Sequence, residues 1–343
     1  MKENINHEIN LDAESNKDAE FNKKYFSREL LYSWLSPEKI KELSKKKVLI
    51  IGVGGLGSFS STILFKSGIF NLTVMDYDEV DISNLHRQLY SIKELGKNKA
   101  KLTSERLSSY FKGIKTSFIT EKLSEKNMAL IKDYDLIIDG TDNLCARYLI
   151  NKSALLHNKP VIFAMIGNSK VMIYPKNIGD PCLSCFLNIK MEKEKEHCER
   201  RHNKDAYKDD FEDSKNQTGN LICMSNNDLR SDNNSMSDNS KENNYINNHK
   251  NNDDSNNKNN YYENTYSNGD YNNNNTNESN NETKAVIAPV NVLAASLQSY
   301  IAIKMLLGQS IDFEGKLITF DFEELKLRKI EVKKNKNCPI CSK

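Results

Sequence analysis

The feature that most restricts this chain is a short apolar run that ends in a cluster of glycines. Val48-Leu-Ile-Ile leads into Gly52-Val-Gly54-Gly55-Leu-Gly57, and Ser58 to Gly68 carries on with helical character. A brief, continuous aliphatic stretch of this kind reads as a parallel strand buried on both faces. The glycines permit a tight turn and close backbone approach to a phosphate, and the helix that follows offers free N–H groups to an anion. A second strand, Asn71-Leu-Thr-Val-Met-Asp, ends in Asp76 about twenty residues on, where a carboxylate can accept hydrogen bonds from ribose hydroxyls. Strand, turn, helix and acid together predict an adenine-nucleotide site rather than a ligand-free turn.

The rest of the ordered chain repeats the alternation. Residues 25 to 46 read as helical, with Pro37 opening a second short helix. Lys99 to Phe111 and Ile150 to His157 read as helices, Tyr134 to Gly140 and Pro160 to Ala164 as strands. Residues 290 to 307 form a long apolar helix, and Lys316 to Phe322 and Leu325 to Val332 alternate as two antiparallel strands. The expected fold is α/β, a Rossmann-like doubly wound and mostly parallel sheet with C-terminal antiparallel strands. Residues 1–22 are polar. From 201 to 284 Asn, Asp, Ser and Lys dominate, too little apolar surface to offset chain entropy. The expected organisation is therefore a disordered N-terminus over 1–22, one domain from 23–200 and 285–343, and a disordered Asn-rich insertion over 201–284.

The charges nearly cancel, Lys plus Arg numbering 49 and Asp plus Glu 47, for a net +2, and they are interspersed. That balance gives no expectation of nucleic-acid or membrane partners. The first residues lack an apolar targeting segment, and no stretch reaches the length of a membrane span, so a cytoplasmic protein is expected.

Downstream of Asp76 comes a polar cluster that a dehydrogenase does not need: Asp78, then Ser83-Asn84-Leu-His-Arg87-Gln88, then Gly96-Lys-Asn-Lys99, and later Asp139-Gly-Thr-Asp142-Asn143. Arginine clamps phosphate oxygens in pairs and lysine acts as a point charge. Asp142 is suited to hold Mg²⁺, which bridges phosphate oxygens. Two cysteine pairs, Cys182-x-x-Cys185 and Cys338-x-x-Cys341, have the spacing of a tetrahedral Zn²⁺ site that ties the C-terminus to the middle of the chain. An odd total of seven cysteines argues against a disulfide framework, and Cys145 reads as a small buried residue.

These motifs resemble the MoeB/ThiF family, relatives of the ubiquitin-activating enzymes. That family carries a G-x-G-G-L-G loop, S-N-L-x-R-Q, G-x-x-K and D-x-T-D-N, and all four stand here in order. Tyr25-Phe-Ser-Arg28-Glu29 resembles its opening R-Y-S-R-Q, with Tyr25 and Glu29 as departures, and the cysteine pairs match its zinc knuckles. The resemblance implies ATP-dependent adenylation of the C-terminal carboxylate of a small ubiquitin-like or sulfur-carrier protein ending in Gly-Gly, with release of pyrophosphate. It implies that Gly52, Gly54, Gly55, Gly57, Asp76, Asp78, Asn84, Arg87, Gln88, Lys99, Asp142 and Asn143 line the ATP site. Arg87, Lys99 and Asp142 would carry the chemistry, and Arg28 would reach into the partner's site in a homodimer. Some relatives add a thioester cysteine in a crossover loop. Cys223 is the candidate here and Cys198, with cationic neighbours, its rival. No rhodanese domain is expected after the second cysteine pair, so a sulfur-transfer partner would be separate. Two other classes stay open on sequence: an NAD-dependent oxidoreductase on the same fold, and a non-catalytic zinc-containing scaffold.

Overall fold

The computed structural model describes residues 22–111, 114–167, 169–187, 286–309 and 312–342. All belong to one compact unit assembled from the two ends of the chain. The expected insertion at 201–284 lies outside the described residues, as does the expected N-terminal tail but for Asn22.

A single eight-stranded sheet runs through this unit. Its strands are β1 (Val48–Ile51), β2 (Leu72–Met75), β3 (Ser117–Ile119), β4 (Leu136–Asp139), β5 (Val161–Gly167), β6 (Lys170–Lys176), β7 (Lys316–Asp321) and β8 (Lys326–Glu331). Their spatial order is β3-β2-β1-β4-β5-β6-β7-β8. From β3 to β5 every pairing is parallel, and from β5 to β8 every pairing is antiparallel. The order reverses between β1 and β4, so this is where a crevice opens at the carboxyl ends of the strands.

The helices are α1 (Pro37–Lys45), α2 (Gly57–Lys66), α3 (Lys99–Ser109), α4 (Leu144–Leu156), the single turn α5 (Ser184–Leu187) and α6 (Ala288–Leu306). Strands β1, β2 and β4 are buried at every residue. That is what sandwiching between helix layers demands of a parallel sheet. α6 is buried along most of its length and packs on α2, β5 and β6. Among the described residues no helix is long and apolar enough to cross a membrane.

Two expectations are corrected and one is met: the second short helix expected from Pro37 is α1, while a 3₁₀ turn at Glu29–Leu31 stands before it and Ser36 between them is extended. Pro37 forces this, since a residue before proline is driven from the helical region, and Ser36 then caps α1 by accepting from Lys39 N at 3.4 Å. α4 begins at Leu144, six residues before the expected start at Ile150, because Asn143 caps it by accepting from Ala146 N at 2.8 Å. β3 and β6 were not expected as strands: β3 adds an edge to the parallel half, and β6 gives the antiparallel extension after β5 three strands rather than two.

Candidate functional site: a glycine turn at the sheet reversal

β1 ends at Ile51, and Gly52 turns the chain with φ +86°, in the left-handed region. Its neighbour across the reversal is the turn after β4: a side chain at Gly52 would begin 2.8 Å from the Gly140 carbonyl carbon. Gly57 is tighter still, since a Cβ there would sit 1.8 Å from the Gly52 carbonyl oxygen. The turn therefore admits no side chain at these two positions, and it brings the start of α2 against the ends of β1 and β4.

Asp76, at the end of β2, fastens the turn. Its Oδ2 accepts from Val53 N at 2.8 Å and its Oδ1 from Asp78 N at 2.9 Å. Burial raises its pKa above the ordinary carboxylate range, against the pull of those two N–H groups. Each oxygen keeps a further lone pair for a ligand hydroxyl. Asp78 is about half exposed and pairs with Lys99 Nζ at 3.2 Å, while the lysine itself is buried. The Lys99 amide also donates to the Asp78 carbonyl at 2.9 Å, which fixes the first residue of α3 beside the end of β2.

The segment between them is held by its own capping box. Asp81 accepts from Ser83 N at 2.8 Å, and buried Asn84 accepts from Asp81 N at 3.3 Å through Oδ1. Arg87 follows on the next turn and donates through Nη1 to the Ser83 carbonyl at 2.6 Å. Gln88 is 9% exposed, its Nε2 lies 3.5 Å from where a Gly54 side chain would begin, and its Oε1 has no hydrogen-bond partner among the described residues. A buried amide with an open acceptor beside a glycine turn is the kind of unsatisfied group that a ligand completes.

On the other side of the reversal, Asp142 is exposed and makes no hydrogen bond or ion pair among the described residues. Its neighbour Asp139 is fully buried and committed: it pairs with Arg147 Nε at 2.9 Å and accepts from Thr141 N at 2.9 Å. Arg147 reaches on to the carbonyls of Thr141 and Ala164. Asp142 is thus the carboxylate of this motif that no other group among the described residues engages. Asn143 is engaged as the α4 cap. Arg28 is exposed at the start of the 3₁₀ turn.

Four positioning residues went unnoticed in the sequence. Tyr90 is buried and its hydroxyl donates to the Val53 carbonyl at 2.7 Å or the Lys99 carbonyl at 3.3 Å, and pairs with Thr103 Oγ1 at 3.0 Å. Burial raises its pKa well above that of a free phenol. Asn291, on the first turn of α6, donates to the Arg87 carbonyl at 3.2 Å. Gln298, fully buried, donates to the carbonyls of Asp139 at 2.9 Å and Ile162 at 3.2 Å and accepts from Ser60 Oγ at 2.8 Å. Arg147 is the fourth. The sequence does carry a signal for them: polar residues in otherwise apolar helical or strand-like runs, as at Asn291 and Gln298.

A second constellation lies at the end of the sheet extension. The sulfurs of Cys182 and Cys338 are 3.4 Å apart, those of Cys185 and Cys341 3.4 Å, and those of Cys182 and Cys185 3.9 Å. All four lie within 4.8 Å of one another. A tetrahedron with Zn–S bonds of ~2.3 Å has sulfur–sulfur edges of ~3.8 Å, so the four thiols fit such an ion without rearrangement. Burial pushes the Cys182 thiol up, and Cys185 likewise. Burial works against a thiolate at Cys338 too, yet the N–H groups of Cys341 and Ile340 hold that thiol below its ordinary value. Cys145, expected as a small buried residue, is only half-buried on the first turn of α4. Cys198 and Cys223 lie outside the described residues.

Comparison with known proteins agrees with this geometry. A sulfur carrier protein adenylyltransferase of Thermus thermophilus is 32% identical over 170 residues, covering 47% of this chain and 63% of that protein. The adenylyltransferase and sulfurtransferase MOCS3 of Dictyostelium discoideum is 36% identical over 166 residues, 47% of this chain and 39% of that one. The chain thus spans less than two thirds of these relatives. Among solved structures, E. coli MccB crystallised with ATP superposes with a TM-score of 0.61 at 20% identity, covering 94% of this chain and 76% of that one, which shows a shared fold. The ThiF family matches residues 26–340, nearly the whole length, and the chain belongs to the ThiF family.

Proposed function

We propose that this protein adenylates the C-terminal carboxylate of a small ubiquitin-like or sulfur-carrier protein that ends in Gly-Gly. The observation that carries the reading is the way separate segments are fixed at one turn. Tyr90 ties the glycine turn at Val53 to the first residue of α3, Lys99, while Asn291 ties the Arg87 carbonyl to α6. The backbones that carry two cationic residues from different stretches of chain are thereby anchored, one to the glycine turn and one to α6. The relatives, a sulfur carrier protein adenylyltransferase above all, suggest the substrate class.

In this reading Asp76 accepts from the ribose, and the turn from Gly52 to Gly57 lies along the phosphates. Asn84, Arg87, Gln88 and Lys99 surround the α-phosphorus. An oxygen of the partner's carboxylate attacks that phosphorus, the bond to the bridging oxygen of the β-phosphate breaks, and pyrophosphate leaves with the electron pair. The carboxylate is already a nucleophile, so no proton need move. Rate is gained by positioning and by charge placed where it builds up. Lys99 would release Asp78 in part to meet the phosphates, an exchange made easier because Asp78 is half exposed. A bound Mg²⁺ would be held by Asp142 and would neutralise phosphate charge. Arg28, exposed at the start of the 3₁₀ turn, would act across a homodimer. The folded domain is assigned to 23–200 with 285–343, and Cys223, with Cys198 as rival, remains the proposed thioester position.

Incubation with ATP, Mg²⁺ and a Gly-Gly-ending carrier protein tests this directly. Intact-mass measurement should find the carrier bearing an added AMP, convertible to the hydroxamate by hydroxylamine. A carrier that stays unmodified, with ATP bound but not consumed, overturns the assignment.

A further inference from the structure

The four-cysteine centre has a neighbourhood that neither the adenylation chemistry nor the four sulfurs account for. Two buried polar side chains point to it. Asn151, on α4, is fully buried; its Oδ1 accepts from the Leu183 amide at 3.1 Å, between the two cysteines of the first pair. Its Nδ2, equally buried, has no hydrogen bond of normal geometry among the described residues. The group beside it is the side chain of Cys182, the residue before Leu183. A thiol is a weak acceptor, whereas a thiolate is a strong one. The orphaned donor is therefore placed where a metal-bound thiolate would satisfy it.

Lys176, the last residue of β6, is 2% exposed. Its Nζ donates to the adjacent Asn177 carbonyl at 3.1 Å, a single neutral partner for a buried ammonium. The chain then folds back at once. Asp180 accepts from Asn177 N at 2.8 Å, and the Tyr174 hydroxyl donates to the Pro181 carbonyl, next to Cys182. The negative groups that face it are Asp180 first, then Cys182 and Cys341. A buried cation with one carbonyl partner is destabilising unless negative charge lies close. Asp180 supplies part of that charge, and four thiolates around a divalent ion, with a net charge of about −2, supply the rest.

We propose that Asn151 and Lys176 form the outer shell of the four-cysteine metal centre, Asn151 donating from Nδ2 to the Cys182 thiolate and Lys176 supplying the buried counter-charge. Both are positioning residues. The pair joins the centre to two elements of the sheet domain: β6, through Lys176, and α4, whose first turn follows Asp142. The inference rests on the tetrathiolate reading and not on the adenylation reading, and the test keeps them apart.

The full chain would be loaded with Zn²⁺, and its apparent affinity measured by competition with a chromogenic chelator. Asn151→Asp keeps the acceptor for Leu183 N–H but removes the donor; Lys176→Met keeps length and burial but removes charge; Lys176→Arg restores charge. Loss of an outer-shell partner weakens a metal site by ~10- to 100-fold, so both charge- or donor-deleting variants should fall in that range while Lys176→Arg stays near wild type. Substitution with Co²⁺ adds a readout that mere packing would not move: loss of an N–H···S bond shifts the thiolate-to-cobalt charge-transfer band in Asn151→Asp. Folded variants, by circular dichroism, that bind Zn²⁺ within about threefold of wild type and leave the cobalt band in place overturn the proposal. So does a wild-type chain that binds neither metal. If Asn151→Asp fails to fold, Asn151→Leu and the two lysine variants decide it by the same measurements.

Discussion

The sheet has two halves built on opposite logic. In β1, β2 and β4 every side chain is buried, and these strands come with helices on both faces. In β7 and β8 burial alternates or fails, and β8 keeps only intermediate or exposed residues. The parallel half can hold itself together by hydrophobic contact alone, at roughly 25 cal/mol per Å² of apolar surface buried. It spends its polar groups on the crevice at the reversal. The antiparallel half buries less and adds four thiols that join residues 182–185 to 338–341. The difference teaches that the nucleotide chemistry and the metal centre answer separate demands: one needs a rigid crowded turn, the other a staple for an extension that is thin on core.

The sharpest way to break the parallel half is Arg147→Met. It strands Asp139, fully buried, without its cation. Removing one partner of a buried pair costs ~3–5 kcal/mol, so chemical denaturation should show a loss of that size. Asp139→Asn in the same chain should recover part of it; full additivity of the two losses would contradict the pairing.

Next is Lys99→Met, aimed at the crevice rather than the core. Stability should hardly change, because among the described residues the lysine pairs only with half-exposed Asp78. Adenylation rate should fall ~10²- to 10³-fold, the usual cost of deleting one charge-stabilising donor. A variant that keeps full rate would move the phosphate site elsewhere.

Stripping the metal with a chelator should strike the other half. At Zn²⁺ about a hundredfold above Kd, the ion adds ~2.7 kcal/mol, and that increment should vanish. Hydrogen exchange should quicken in β6 to β8 and around Cys338 while β1, β2 and β4 stay protected. Uniform loss across the sheet would erase the distinction between the halves.

The smallest effect concerns the hairpin of β7 and β8. Asp312 is bound by Lys316 at 2.8 Å and Lys329 at 2.6 Å, which together pull its carboxyl down to about 2. Because the folded value is lowered, the contribution is present above the ordinary carboxylate value near 4 and is lost as pH falls toward 2. Asp312 is well exposed, so the increment is slight. Thermal midpoints taken between pH 5 and pH 2 should fall slightly less for Asp312→Asn than for the wild type.

The same contrast governs what could be read from the sequence. β1 and the glycine turn stood out because a fully buried strand is a continuous aliphatic run and the turn tolerates almost nothing but glycine. β6 escaped because Lys170-Val-Met-Ile-Tyr-Pro-Lys carries a proline, a residue that argues against a central strand. Pro175 is tolerated because β7 pairs only with Lys170 to Ile173, leaving its edge without a neighbour on that side. β3 escaped because three half-exposed residues at a sheet edge leave no pattern. Within the candidate site, residues that present charge to a ligand were legible as motifs. Those that hold the motifs in place were not: Tyr90, Asn291 and Gln298 act through contacts as much as 238 residues apart, at Ser60 and Gln298, and no local spacing encodes that.

Isotope exchange between pyrophosphate and ATP tests the central claim most directly, because it reads the reversal of the adenylation step itself. Labelled pyrophosphate should enter ATP only when a Gly-Gly-ending carrier protein is present, and Arg87→Ala should abolish that entry without unfolding the chain. Exchange that proceeds equally with a carrier lacking its terminal glycines, or that survives the loss of Arg87 unchanged, would contradict the account.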